Sequence, residues 1–274
     1  MCRGRRAHAQ ATQADVGVNP TFEQTDATTV ESTGGFFSGR AFFADTFCCG
    51  TLTYGGSGSP ADLTLGSSPP SLTLSGSNSS FSGLQADFPA GDYTFDLMSK
   101  NVDTEFTINY AGNAYSNTPQ LTAASFSALQ GLNAADSITL AFNAMDVSPN
   151  ATPGANNIFF SVVNASNMTV FDSGALATAA TSVTIPGGTL SAGQSYTFDL
   201  LFDDRIRGSV NGIPVGEQIS TTQFYDTHTG GSFFTAAGAV PEPSTWAMLL
   251  VGFVGLGFAR SLRGRKQGAP AIGH

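Results

Sequence analysis

From Gly34 onward the chain consists of short runs of β-branched and aromatic residues, each broken by Gly, Pro, Ser or Asn. That punctuation leaves no stretch for a long amphipathic helix and specifies a mainly β body. The first candidate strands are 35–44, 51–54, 62–65, 71–74, 92–99 and 105–110. Alternation is clear in Tyr93-Thr94-Phe95-Asp96-Leu97, which puts Tyr93, Phe95 and Leu97 on one face. Pro69-Pro70 and Gly55-Gly56-Ser57-Gly58 mark turns or loops.

A second series of strands is predicted after Asn117-Thr118-Pro119, at 120–126, 137–143, 157–164, 168–172, 182–185, 195–202 and 218–225. The expected organisation is a leader remnant and loose arm at 1–33, with one edge strand at most. A β-rich module follows at 34–116 and an antiparallel β-sandwich module at 117–235. Seven short strands with such turns suit an immunoglobulin-like sandwich. The segment 190–200, Leu-Ser-Ala-Gly-Gln-Ser-Tyr-Thr-Phe-Asp-Leu, resembles the start of strand F in a fibronectin type III module. The resemblance puts Tyr196 at the tyrosine corner and Phe142 where such modules usually carry a core Trp. The segment 90–97 echoes 192–200. The echo fits either two related sandwiches or a common hairpin start that arose twice.

All of the chain's 20 acidic residues except Glu242 lie between Thr12 and Ala239, where the basic residues are Arg40, Lys100, Arg205 and Arg207. So anionic a body is a poor partner for nucleic acid or anionic lipid. Charged residues make up only 11% of the chain, so hydroxyls and amides keep the surface soluble. Such a surface suits contact with sugars or an inert exterior equally.

No catalytic set assembles from the sequence. Asp226 and His228 alternate, so a strand places both on one side, within reach of one metal ion. Two ligands make no site, and a surface pair at a strand end is the simpler reading. Asp103/Glu105 and Asp203/Asp204 are paired acids, but strand neighbours such as Asp203 and Asp204 diverge instead of facing each other across a cleft. Their spacing matches no calcium loop. Serine elbows and phosphate-cradling glycine loops are absent from the sequence. Cys48 and Cys49 are adjacent, and a disulfide between them closes a strained ring. Pairing with another chain and burial as thiols are the alternatives. The reading expects no catalytic residues, no metal and no cofactor.

The C-terminal stretch is of another kind. Pro241, Glu242 and Pro243 hold an extended segment, because prolines resist incorporation in a helix interior. The apolar run Trp246-Ala247-Met248-Leu249-Leu250-Val251-Gly252-Phe253-Val254-Gly255-Leu256-Gly257-Phe258-Ala259 follows. As a helix it is about 21 Å long at about 1.5 Å per residue. That is shorter than a usual span, but Trp246 at one interface and snorkelling arginines at the other lengthen its reach. Arg260, Arg263, Arg265 and Lys266 close it and anchor its far end in the cytoplasm. The expected unit is a sorting tail at 240–266 with a single transmembrane helix, followed by a disordered end at 267–274.

These residues, in this order, resemble the PEP-CTERM sorting tail of exported bacterial proteins, also known as an ice-binding protein C-terminal domain. The resemblance implies export across the inner membrane, transient anchoring by the tail, processing by an exosortase, and a cell-surface or extracellular fate. It also implies that this chain is the substrate and carries none of the protease machinery. The body's sequence offers no sign of the flat threonine array that ice binding suggests.

At the other end, the Arg residues of Met1-Cys2-Arg3-Gly4-Arg5-Arg6 resemble a signal-peptide n-region, and Ala7-His8-Ala9-Gln10-Ala11 a cleavage site. The apolar segment that belongs between them is missing, so either it is encoded upstream of Met1, as this reading expects, or the chain is not exported by this route. The expected function is that of an exported, non-enzymatic surface or matrix protein with exopolysaccharide as a partner. The alternative is an exported carbohydrate-binding module or hydrolase on the same tail.

Overall fold

The computed structural model describes residues 11–43, 47–67, 70–99, 103–112, 117–211 and 218–238, together with Met248 and Val251. In chain order the strands are β1 (Ala11–Gln24), β2 (Val30–Phe43), β3 (Phe47–Thr53), β4 (Ala61–Asp62), β5 (Thr64–Ser67) and β6 (Pro70–Asn78). Helix α1 (Phe81–Asp87) precedes β7 (Gly91–Ser99) and β8 (Asp103–Tyr110). Helix α2 (Ala123–Leu129) precedes β9 (Ile138–Ala141), β10 (Asn157–Asn164), β11 (Thr169–Asp172), β12 (Ser182–Ile185), β13 (Ser195–Asn211) and β14 (Gln218–Phe234).

One 8-stranded sheet runs β11-β10-β13-β14-β1-β2-β6-β5. A 4-stranded sheet, β4-β3-β7-β8, and a 2-stranded ribbon, β12-β9, make up the rest. Among the described strands pairing is antiparallel, except that β1 runs parallel to β14. Two hydrophobic cores form. One gathers Phe37, Leu52, Tyr93, Phe95 and Phe106, with Phe37 stacked on Phe88 at 4.2 Å. The other gathers Leu140, Phe160, Val183, Phe198 and Phe202. Strands β13 and β14 serve both: Phe198 and Phe233 belong to the second core, while Ile219 and Tyr225 of β14 belong to the first and Ile206 and Val210 of β13 pack against it. At 17 residues each, they are about 56 Å long at roughly 3.3 Å per residue, which is the reach this requires. The described residues up to Ala236 belong to one compact unit.

Two expectations are corrected. The loose arm is instead β1, a 14-residue strand inside the large sheet, with Ala14, Val16 and Val18 turned to the core. Pro20 disguises it. The ladder to β14 lapses at Asn19 and Pro20 and resumes at Thr21, so the missing N–H falls in a gap. The strand expected at 120–126 contributes only an isolated bridge, Leu121 to Phe142, before α2 begins. Thr122 caps α2 by accepting the Ser125 N–H at 3.3 Å, and Phe126 and Leu129 share the buried face at helical spacing. The second series therefore supplies six strands and a helix in place of seven strands.

Candidate functional site

Alternation along β13 sends Tyr196, Phe198, Leu200 and Phe202 into the core. It turns Asp199, Asp203 and Arg205 to the other face of the sheet. The register sets Asp203 opposite Asp226 and Leu201 opposite His228 on β14. The next strands bring Asp15 opposite Thr222, and Arg40 of β2 opposite Asp15. Residues far apart in sequence thus converge on one polar patch.

Arg205 organises that patch. Its Nε lies 2.6 Å from Asp203 Oδ1, an ion-pair contact in which the N–H is not directed at the oxygen, and the oxygen has no directed hydrogen bond. Its Nη2 reaches Asp226 Oδ2 at 3.3 Å, and its guanidinium stands 5.8 Å from the Phe224 ring centroid. Burial pushes the Asp226 carboxyl up to about 7, helped by Asp203, although Arg205 and His228 pull the other way. Burial likewise raises Asp15, against the pull of the Gln13 amide at 2.9 Å and of Arg40 and Arg205. Burial opposes charge on His228, yet its net shift is upward because Asp199 accepts from Nδ1 at 3.0 Å and Asp226 and Asp203 stand near.

Beside the patch, Asp15, Asn19, Phe36, Arg40, Phe224 and Asp226 line an open cleft of about 340 Å³. Gly17 lies next to it, where a Cβ would stand 2.6 Å from the Phe224 ring and collide with that residue's carbonyl.

Asp203 and Asp204 diverge. Asp204 is fully buried, accepts the Ser148 N–H at 2.8 Å, and is raised chiefly by burial. Its Oδ1 has no hydrogen-bond partner among the described residues. Asp226 and His228 lie on one face, but no group of three metal-ligating side chains gathers among the described residues. Tyr196 is buried, and its hydroxyl accepts the Ser191 N–H at 2.8 Å. Phe142 is buried in the same core. Asp15, Arg40 and Asp199 were not singled out in the sequence. The usable signal was the alternation of Ala14, Val16 and Val18, which marks Asp15 as the outward residue of a strand.

Pro241, Glu242, Pro243 and the basic cluster lie outside the described residues. So does the run from Trp246 to Ala259, apart from the helical and exposed Met248 and Val251. Among the described residues no helix is long and apolar enough to cross a membrane.

Residues 239–266 match a family model for this end of the chain. The chain carries a PEP-CTERM protein-sorting motif. The motif marks an exosortase-targeted, exported protein with a cell-surface or extracellular fate. No curated protein matches the chain in sequence. Among solved structures it is similar to a biofilm associated protein BSP domain, at 14% identity and TM-score 0.23, over 81% of this chain and 30% of that one. The chain thus spans less than a third of that protein's length. It is also similar to the human OSCAR ligand-binding domain, at 12% identity and TM-score 0.24, over 78% of this chain and 97% of that one. A chimeric titin Z1Z2 is similar at 9% identity and TM-score 0.25, over 80% of this chain and 96% of that one. Superpositions this loose establish neither fold kinship nor function.

Proposed function

We propose that the protein is a non-enzymatic component of the cell surface or extracellular matrix, delivered through its PEP-CTERM motif. The apolar run from Trp246 to Ala259 enters the inner membrane, Arg260 to Lys266 stay in the cytoplasm, and an exosortase cuts beside Pro241-Glu242-Pro243. The body is then released to associate with exopolysaccharide. The sorting motif at 239–266 is the observation that carries this reading.

The chemistry of the patch supports a non-enzymatic role. A hydrolytic pair of acids faces its partner across substrate, with room for a water or a sugar carbon between them. Asp203 and Asp226 are instead direct cross-strand neighbours, ion-paired to one arginine. Asp15 is four positions along the ladder from the level of Asp226, about 13 Å at roughly 3.3 Å per residue.

The test is cell fractionation with C-terminal mass mapping, in a host that has an exosortase. The expected product is a surface or medium form that ends near Pro243. The intact chain through Lys266, found in the medium or the cytoplasm, would overturn the proposal.

The cleft favours a second reading, a carbohydrate-binding module. Phe36 is 48% exposed at its rim, beside the carboxylates, amide and guanidinia that hydrogen-bond sugar hydroxyls. Pull-down of the host's exopolysaccharide by the protein, weakened by Phe36→Ala and Asp226→Ala together, would favour it. Polysaccharide hydrolysis lost in an Asp203, Asp204 or His228 variant would replace both readings with an enzyme.

A further inference from the structure

Two neighbouring residues of a regular strand point to opposite faces, so adjacent cysteines in a strand are normally kept apart. Strand β3 breaks that rule. Its register against β7 pairs Phe47 with Ser99 and then Cys49 with Met98, so Cys48 is the extra residue of a β-bulge. The bulge lets Phe47 and Gly50 stay buried while Cys48 and Cys49 both turn to solvent. Their Sγ atoms lie 3.1 Å apart, and Cys48 Sγ donates to the Met98 carbonyl at 3.4 Å. Both thiols are free and exposed.

The geometry points to a redox site: Cys48 and Cys49 are a vicinal dithiol that closes to a disulfide by exchange with a disulfide-bearing oxidant. One thiolate attacks a sulfur of the oxidant, and the oxidant's other sulfur leaves as a thiolate and takes up a proton. The second cysteine then attacks the mixed disulfide at its partner's sulfur, gives up its proton, and expels the oxidant's remaining half as a thiol. The chain loses two electrons and two protons, and the oxidant disulfide becomes two thiols. Adjacent Cα atoms are held about 3.8 Å apart, nearer than the roughly 4.4–6.8 Å of ordinary disulfides. The closed ring is therefore strained and opens readily to a thiol reductant. An exported fate would bring the pair into an oxidising setting; the chemistry itself does not depend on that fate.

No Lys or Arg lies between Arg40 and Lys100, so trypsin releases both cysteines in one peptide, 41–100, without Cys2. The reduced full-length protein is treated with glutathione disulfide, capped with N-ethylmaleimide, digested and weighed. The expected result is that most of this peptide lacks two hydrogens and carries no maleimide, and that dithiothreitol restores two capping sites. Cys49→Ser is expected to stop with glutathione on Cys48. Maleimide on both cysteines, a lasting glutathione adduct on the unsubstituted peptide, or a cross-link to a second chain would overturn the inference. Because the oxidant is supplied to purified protein, failure here is distinct from failure of export.

Discussion

Asp203 and Asp226 stand directly opposite each other on β13 and β14, and Arg205 ion-pairs with both. Asp203 is buried and Asp226 half-buried, so two carboxyls share one guanidinium where water is scarce. Burial, with Asp203 beside it, raises the Asp226 carboxyl to about 7 against the pull of Arg205 and His228, so it keeps its proton to a higher pH than a free carboxyl does.

That proton sets a pH dependence. The Asp226 carboxyl titrates near 7 in the folded state but at its ordinary value of 3.8 when unfolded. Between those values the folded state binds the extra proton, so stability falls as pH rises from about 4 to about 7. His228, raised by its acidic neighbours, adds stability below its ordinary 6.5 that is lost as pH rises through its higher folded value. Thermal midpoints are expected to decline across this window. Asp226→Asn should flatten the decline, with a gain on the order of a few kcal/mol at most at pH 8. Parallel curves for the two proteins would refute the assignment.

Tyr196→Phe removes the acceptor of the Ser191 N–H. The expected loss is about 1–3 kcal/mol, seen as a lower urea midpoint with an unchanged slope. Tyr93 is a natural comparison, since its hydroxyl donates to the Pro89 carbonyl at 2.9 Å in the same local setting. Its Phe variant leaves a carbonyl short of a donor and should cost a similar amount.

Gly17→Ala drives a methyl group against the Phe224 ring and carbonyl, between the two central strands. Overpacking of this kind costs about 1–3 kcal/mol. Hydrogen exchange should quicken on β1 and β14 before it does on β10. An unchanged thermal midpoint would show that the strands separate freely there.

In the tail, Ser at Arg260, Arg263, Arg265 and Lys266 should impair both retention and processing. On the proposed reading each charge would resist crossing the bilayer core by about 2.5–3.5 kcal/mol on the gentlest scale, and that resistance would hold the basic end inside. Glu242→Ala should insert normally and remain uncut. Membrane pelleting paired with C-terminal mass mapping separates the two effects. Normal cleavage of the Glu242 variant would remove that residue from the recognition motif.

The sorting motif was legible because all of its parts are contiguous: a Pro-Glu-Pro segment, an apolar run and a basic end need no partner strand to be recognised. Strands such as β10 and β12 were legible for a related reason, since alternation is written residue by residue. Tertiary structure decided the rest. Whether 11–24 is an arm or a strand depends on a parallel partner some 200 residues away, and the ladder to that partner lapses at Pro20. Phe126 and Leu129 fit a strand pattern loosely and a helix well once Thr122 caps the turn. The meeting of Asp15, Arg40, Arg205 and Asp226 depends on register across four strands. The approach of the Cys48 and Cys49 thiols depends on one inserted residue opposite Met98. Local propensity acts through nearest neighbours, whereas register is set by how whole strands bury their faces, and only the folded sheet settles that.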